Sequence, residues 1–262
     1  MRHWFLAVAA CAPIAAASAA PADMPDFTGY WQHSPIAQYR PVPGEPAPVR
    51  GKRVIDATNL QTLVEGDETS PILQPWAAAE VAKRAEARRV GLQIPTQTEE
   101  CRASGVPGVL TLTAPVQFLQ LPGEIVIIYQ RDHQVRHIAM NAPHTNNPPP
   151  AWYGESVGHY EGDALVVDTI GLKGMSSVDI FGTPHTEALH VVETYRLTGD
   201  GKKLEATIRV EDPGAFTAPW SGVMVYDRVN VPALSEEVCA ENNFDVVTKK
   251  PYPIPTAAKA DF

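Results

Sequence analysis

Beyond its first residues this chain has no long apolar run, no glycine-rich phosphate loop and no HExxH pair, and it is short of bases and of cysteines. Each shortage removes a class of protein. After residue 19 no stretch approaches the roughly 20 apolar residues that a helical membrane span requires, so no such span is expected. Without a phosphate loop or HExxH, the phosphate-cradling and zinc-protease signatures are missing. Lys and Arg number 21 against 30 Asp and Glu, giving a formal charge of -9. The bases are not clustered, which argues against a nucleic-acid or anionic-membrane partner.

What is present starts with Met1-Arg2-His3, an apolar stretch Trp4 to Ala10 and an alanine-rich tract ending Ala17-Ser18-Ala19. That is the layout of a secretory signal peptide over residues 1–19, with the mature chain starting near Ala20 in the periplasm or outside the cell. A rival reading makes Val8-Ala9-Ala10-Cys11 a lipoprotein signal with Cys11 acylated. Removing 1–19 leaves Cys101 and Cys239. In an exported protein such a pair is expected to form a disulfide, worth roughly 4 to 5 kcal/mol as an upper figure in the chain-entropy model. Two buried free thiols are the alternative. A catalytic thiol is disfavoured because neither cysteine has a CxxC partner or bases on both sides.

The 25 prolines and 18 glycines suit many short strands joined by turns. Residues 20–100 read as an arm, Pro-rich through Pro41-Val42-Pro43-Gly44 and Glu45-Pro46-Ala47-Pro48, with a short first strand at Asp26 to Trp31. One helix is predicted over Trp76 to Val90, with Pro75 before its first turn and Gly91 after its last. From 101 to 243 a meander of about eight strands follows. Its clearest hairpins are Val116–Leu121 with Ile125–Gln130 and Ser156–Glu161 with Ala164–Gly171; strands over Glu187–Leu197, Leu204–Asp212 and Gly222–Asn230 complete it. The pattern predicts an all-β single domain: an up-and-down antiparallel barrel, lipocalin-like in architecture, with a Pro-rich N-terminal arm and one short helix.

Gly154 to Thr169 (GESVGHYEGDALVVDT) and Pro184 to Arg196 (PHTEALHVVETYR) resemble motifs of a family of exported bacterial proteins. Asp26-Phe27, Cys101 with Gly105 and Pro107, Glu211-Asp212-Pro213 and the tail Cys239-Ala240-Glu241-Asn242-Asn243 extend that resemblance over most of the mature chain. It implies one domain and attaches no reaction. The chain departs from it at Met140-Asn141-Ala142-Pro143-His144, where the family has an Asp-Gly-Arg-x-His type of turn.

Candidate chemistry centres on two histidine loops. His144 and His185 are imidazoles near turns, where acid-base transfer or metal ligation is natural. His185 and Glu187 alternate on an extended segment and so share a side. Both loops are expected at one barrel mouth, with His144 and His185 converging and Glu187 at the rim. Parity puts Glu193 on the inner face with Leu189, Val191 and Tyr195, as an acid-base group or a structural anchor with an unidentified partner, and puts His190 outward. Asp179 is a candidate to orient His185, or simply a turn former. Trp152, Tyr153, Tyr160 and Trp220 are candidates to line a substrate pocket, or core. Gly154-Glu155-Ser156-Val157-Gly158 matches the nucleophile-elbow string but enters a hairpin instead of strand-turn-helix, so a serine hydrolase reading is rejected.

These features point to an exported enzyme performing cofactor-free acid-base chemistry (a lyase, isomerase or hydrolase) on a small organic molecule. A periplasmic binding protein for an apolar or aromatic ligand is the alternative. A metal-dependent enzyme using His185, Glu187 and a further histidine is third.

Overall fold

Alternation of apolar and polar residues, interrupted by Gly and Pro turns, builds the expected barrel. The computed structural model describes residues 24–33, 38–55, 62–90, 92, 94–95, 97–98, 100–242 and 250; the leader over 1–19, Cys11 and the start at Ala20 lie outside them. The strands are β1 Gly29–His33, β2 Arg40–Pro41, β3 Gly51–Ile55, β4 Thr62–Gly66, β5 Val116–Leu121, β6 Glu124–Tyr129, β7 Gln134–Met140, β8 Glu155–Glu161, β9 Ala164–Ile170, β10 His190–Thr198, β11 Lys203–Glu211 and β12 Trp220–Val229. In the order β1-β5-β6-β7-β8-β9-β10-β11-β12 they form one sheet that closes through pairing of β12 with β1. β2 adds to β12 outside this ring, and β3 with β4 makes a separate hairpin.

Along every strand alternate side chains enter the lumen. Trp31, Phe118, Ile127, Ile138, Val167 and Ile208 are almost fully buried there, and Phe118 meets Tyr195 edge-on at 5.6 Å between ring centroids. The lumen is a packed core. α1, Pro75–Arg89, begins with its proline at the first turn, where the missing N–H costs nothing, and ends with Arg88 and Arg89 complementing the helix dipole. It buries Ala77, Val81 and Ala85, spaced four apart. Its Arg89 donates to the buried Glu65 carboxylate, with Nη2 at 2.6 Å. Cys101 and Cys239, the latter opening the one-turn α2 (Cys239–Asn242), form a disulfide with their Cα atoms 5.5 Å apart.

The strands are antiparallel neighbours with one departure. β7 and β8 run parallel over only three residue pairs, Ile138–Ser156, Ala139–Val157 and Met140–Gly158. A parallel pair cannot be joined by a hairpin, so the chain must travel back along the barrel before re-entering it. Residues 141–154 make this return. They leave beside the β5–β6 turn, where Met140 N–H bonds Gly123 O, and arrive at the other end, where Ala151 N–H bonds Gly171 O. The part of this connection that carries His144 therefore lies on the outer wall, while its end meets the start of 171–189, Ala151 bridging to Leu172 and Pro148 lying against Gly171.

Candidate active site on the outer wall

The register of three strands sets the site. Asp168 pairs with Val157 of β8 and Val192 of β10, and Glu155 pairs with Ile170. Glu155, Asp168 and His190 thus occupy outward positions diagonal to one another, within reach of longer side chains. The returning segment 141–154 lowers His144 onto them. His144 Nδ1 lies 2.9 Å from Glu155 Oε1 and its Nε2 2.9 Å from Asp168 Oδ1. The same Asp168 oxygen accepts from His190 Nε2 at 3.0 Å. Carboxylates and imidazoles alternate through four groups, Glu155, His144, Asp168 and His190.

Because a carboxylate oxygen only accepts, both ring nitrogens of His144 can donate at once only in the imidazolium form. Thr145 fixes the first carboxylate, its N–H on Oε1 and its hydroxyl on Oε2, each at 2.7 Å. The Thr145 hydroxyl is the main influence holding Glu155 below the ordinary carboxylate range, opposed by partial burial and aided by the Thr145 N–H and His144. Glu155 also lines an open groove of about 680 Å³ on the outer face of β7, together with His137, Glu124, Ala139, Pro148 and Pro149. The chain of titratable groups therefore starts at a groove and ends at His190, whose side chain is 39% exposed.

The other predicted residues lie elsewhere. His185 is buried beneath the connection 171–189; its Nδ1 donates to Thr186 O at 2.8 Å and its Nε2 accepts from Ser176 Oγ at 2.7 Å. It shares no hydrogen-bond partner with His144, so the two imidazoles belong to separate networks. The reason is the parallel pairing of β7 with β8, which sends the His144 segment along the wall. Glu187 is exposed and makes no side-chain hydrogen bond among the described residues. Asp179 is a turn former: its carboxylate accepts from Phe181 N–H, Thr183 N–H and the Thr183 hydroxyl, while burial raises its pKa.

Glu193 is the inward anchor, and its missing partner is Arg136. The two side chains are fully buried in the lumen and meet through two guanidinium nitrogens, Nη1 at 2.9 Å and Nη2 closer still. Tyr195 Oη donates to Glu193 at 2.6 Å, and Arg136 also reaches Ser156 Oγ and Thr169 Oγ1. Burial opposes the Arg136 charge, but Glu193 outweighs it and holds the guanidinium protonated. Nearby, burial pushes the Tyr129 phenol up to about 12.

Tyr153 stacks on Tyr129, with rings 7° from parallel, and Tyr160 Oη accepts from Gln120 at 2.7 Å. Trp220 is core against Phe216, and half-buried Trp152 has Lys173 Nζ 5.6 Å above its ring. Sequence reasoning missed Asp168, Glu155 and Ser176 as site members. For Asp168 and Glu155 the available signal was parity, which sets them outward on neighbouring strands with His190.

Neither protein-family models nor curated proteins give a significant match to this chain, so its function is read from its own geometry.

Proposed function

We propose that the protein is an exported enzyme carrying out cofactor-free acid-base chemistry on a small organic molecule, with His144 as the proton-transferring group. The observation that carries this reading is the unbroken alternation of Glu155, His144, Asp168 and His190, with two imidazoles on one carboxylate oxygen and the Glu155 end open to a groove. An imidazole held between carboxylates can accept a proton on one nitrogen while releasing one from the other. Elimination, isomerisation and hydrolysis each need a proton removed at one point and returned at another. Export is supported by the signal-like N-terminus and by a disulfide, which suits oxidising compartments.

The test is turnover of a panel of small carbon acids and hydroxy acids in D2O, followed by NMR for product or for deuterium incorporation. Positioned acid-base groups contribute roughly 10²- to 10⁴-fold, so His144→Gln and Asp168→Asn should each lower turnover by about that much while the protein stays folded. Turnover that persists in the double variant sinks the assignment. A binding-protein reading draws on a second groove of about 380 Å³, largely apolar, lined by Pro46, Ala47, Pro48, Pro71, Ile72 and Ala218. Saturable binding of an aromatic probe without turnover of any compound favours it. For the metal-dependent reading, no group of three or more His, Cys, Asp or Glu among the described residues is arranged to hold a metal ion.

A further inference from the structure

The outer-wall chemistry leaves one buried nucleophile and base unused. Ser176 Oγ lies 2.7 Å from His185 Nε2 and belongs to the same connection, 171–189, nine residues earlier. The other ring nitrogen, Nδ1, lies 2.8 Å from Thr186 O. A carbonyl can only accept, so Nδ1 carries the hydrogen, Nε2 presents its lone pair, and the serine hydroxyl donates to it. That is the tautomer a general base needs. The orienting carbonyl is itself held: Thr186 donates through N–H (2.5 Å) and hydroxyl (2.7 Å) to the buried Asp212, which also accepts from Gly214 N–H at 2.9 Å.

Nucleophile, base and orienter at these separations are the general signature of an activated serine. The serine is also closely fitted. Gly105, at φ +70°, leaves no room for a side chain, since a Cβ there would stand 2.6 Å from Ser176 Oγ and 2.9 Å from Trp152 O. Ser176, directly after the exposed Gly174–Met175, retains 5% exposure and His185 3%. So small a residual exposure restricts the reagent to a small acyl group.

We propose that Ser176 and His185 form a second catalytic site, an acyl-transfer dyad that hydrolyses small activated carboxylic esters. Ser176 Oγ attacks the ester carbonyl carbon as its proton passes to His185 Nε2. The bond from that carbon to the leaving oxygen then breaks, and the proton on Nε2 goes to the departing alcohol. A water molecule, deprotonated by His185, attacks the acyl-serine and releases the carboxylic acid, restoring the serine hydroxyl. The net reaction is ester plus water to acid plus alcohol. The inference does not depend on the His144 site.

The experiment treats the mature full-length protein with a small alkyl fluorophosphonate, which loses fluoride to the serine oxygen, and in parallel with p-nitrophenyl acetate. Peptide mass analysis should find one phosphonyl adduct, on Ser176, absent from Ser176→Ala. His185→Gln should slow adduct formation and ester turnover by about 100-fold or more, while Lys203→Ala, a change on the exposed surface away from both clusters, should change neither. Absence of an adduct on Ser176, or an equal rate in folded His185→Gln, overturns the proposal. If His185→Gln does not fold, the comparison of the unaltered protein with Ser176→Ala decides alone.

Discussion

Two charged clusters, one inside the barrel and one on its wall, are made from similar materials and do opposite work. Arg136 and Glu193 have no exposed side-chain surface, and their polar atoms are met by each other and by Ser156, Thr169 and Tyr195. His144, Glu155, Asp168 and His190 are also hydrogen-bonded to one another, but their side chains keep between 22% and 39% exposure. A group sealed from water with every bond satisfied is locked in one charge state. A group that water can reach can still change its protonation, so chemistry is sought on the wall and stability in the lumen.

The sharpest way to break this comparison is to orphan one member of the inner pair. Glu193→Ala leaves a buried guanidinium uncompensated and should cost about 3 to 5 kcal/mol, whereas replacing both residues together, Arg136→Met with Glu193→Leu, should recover most of that loss. Urea unfolding measures both, and a double variant no better than the single one contradicts the account. A smaller effect follows at His185. Burial holds its pKa below the ordinary 6.5, outweighing the Thr186 carbonyl and Asp212, which act the other way. Between the folded and unfolded pKa values the unfolded chain binds more protons, so stability is full above about 6.5 and falls as pH drops through the folded value. Stability measured from pH 7.5 to 5 should decline less steeply in His185→Gln. Glu155, held low, adds loss of the same sign only in the carboxylate range, and half-buried Asp179, held high, acts oppositely there.

On the wall the expected stability effects are smaller again. His190→Ala should shift unfolding by no more than about 1 kcal/mol, as exposed ion pairs do, and a loss like that of Glu193→Ala would mean the outer cluster is structural after all. The smallest change belongs to Lys203→Ala, which removes a half-exposed pair with Asp227 at 2.5 Å. It should lie within about 0.5 kcal/mol in thermal unfolding.

The barrel was legible because its strands are written locally. Period-two alternation and the Pro122-Gly123 and Gly162-Asp163 turns specify hairpins within a dozen residues, and the helix carries its own proline and bases. The inward parity of Glu193 was legible for the same reason. Its partner was not, since Arg136 lies 57 residues away and its inward position in β7 is visible only once that strand's parity with Ile138 is taken seriously. Asp168 was not singled out, because nothing local tells that a proline-rich segment will cover it. Residues 141–154 have no periodicity, so neither their path nor the meeting of His144 with Asp168 could be drawn from the sequence.

The parallel join of β7 and β8 has a cause deeper than local sequence. Strands that alternate up and down around a closed ring obey a parity condition: an even number can alternate throughout, an odd number cannot. With nine strands in the ring, at least one neighbouring pair must point the same way, as one bond must be frustrated in an odd ring of opposed spins. The chain placed that mismatch after β7, where only three residue pairs hold the join, against nine between β10 and β11. A mismatched pair cannot be bridged by a tight turn, so some segment has to retrace the barrel's length on the outside, and that segment is the one that carries His144. An eight- or ten-stranded ring could have been closed with hairpins alone, leaving Asp168 and His190 facing water with nothing laid over them.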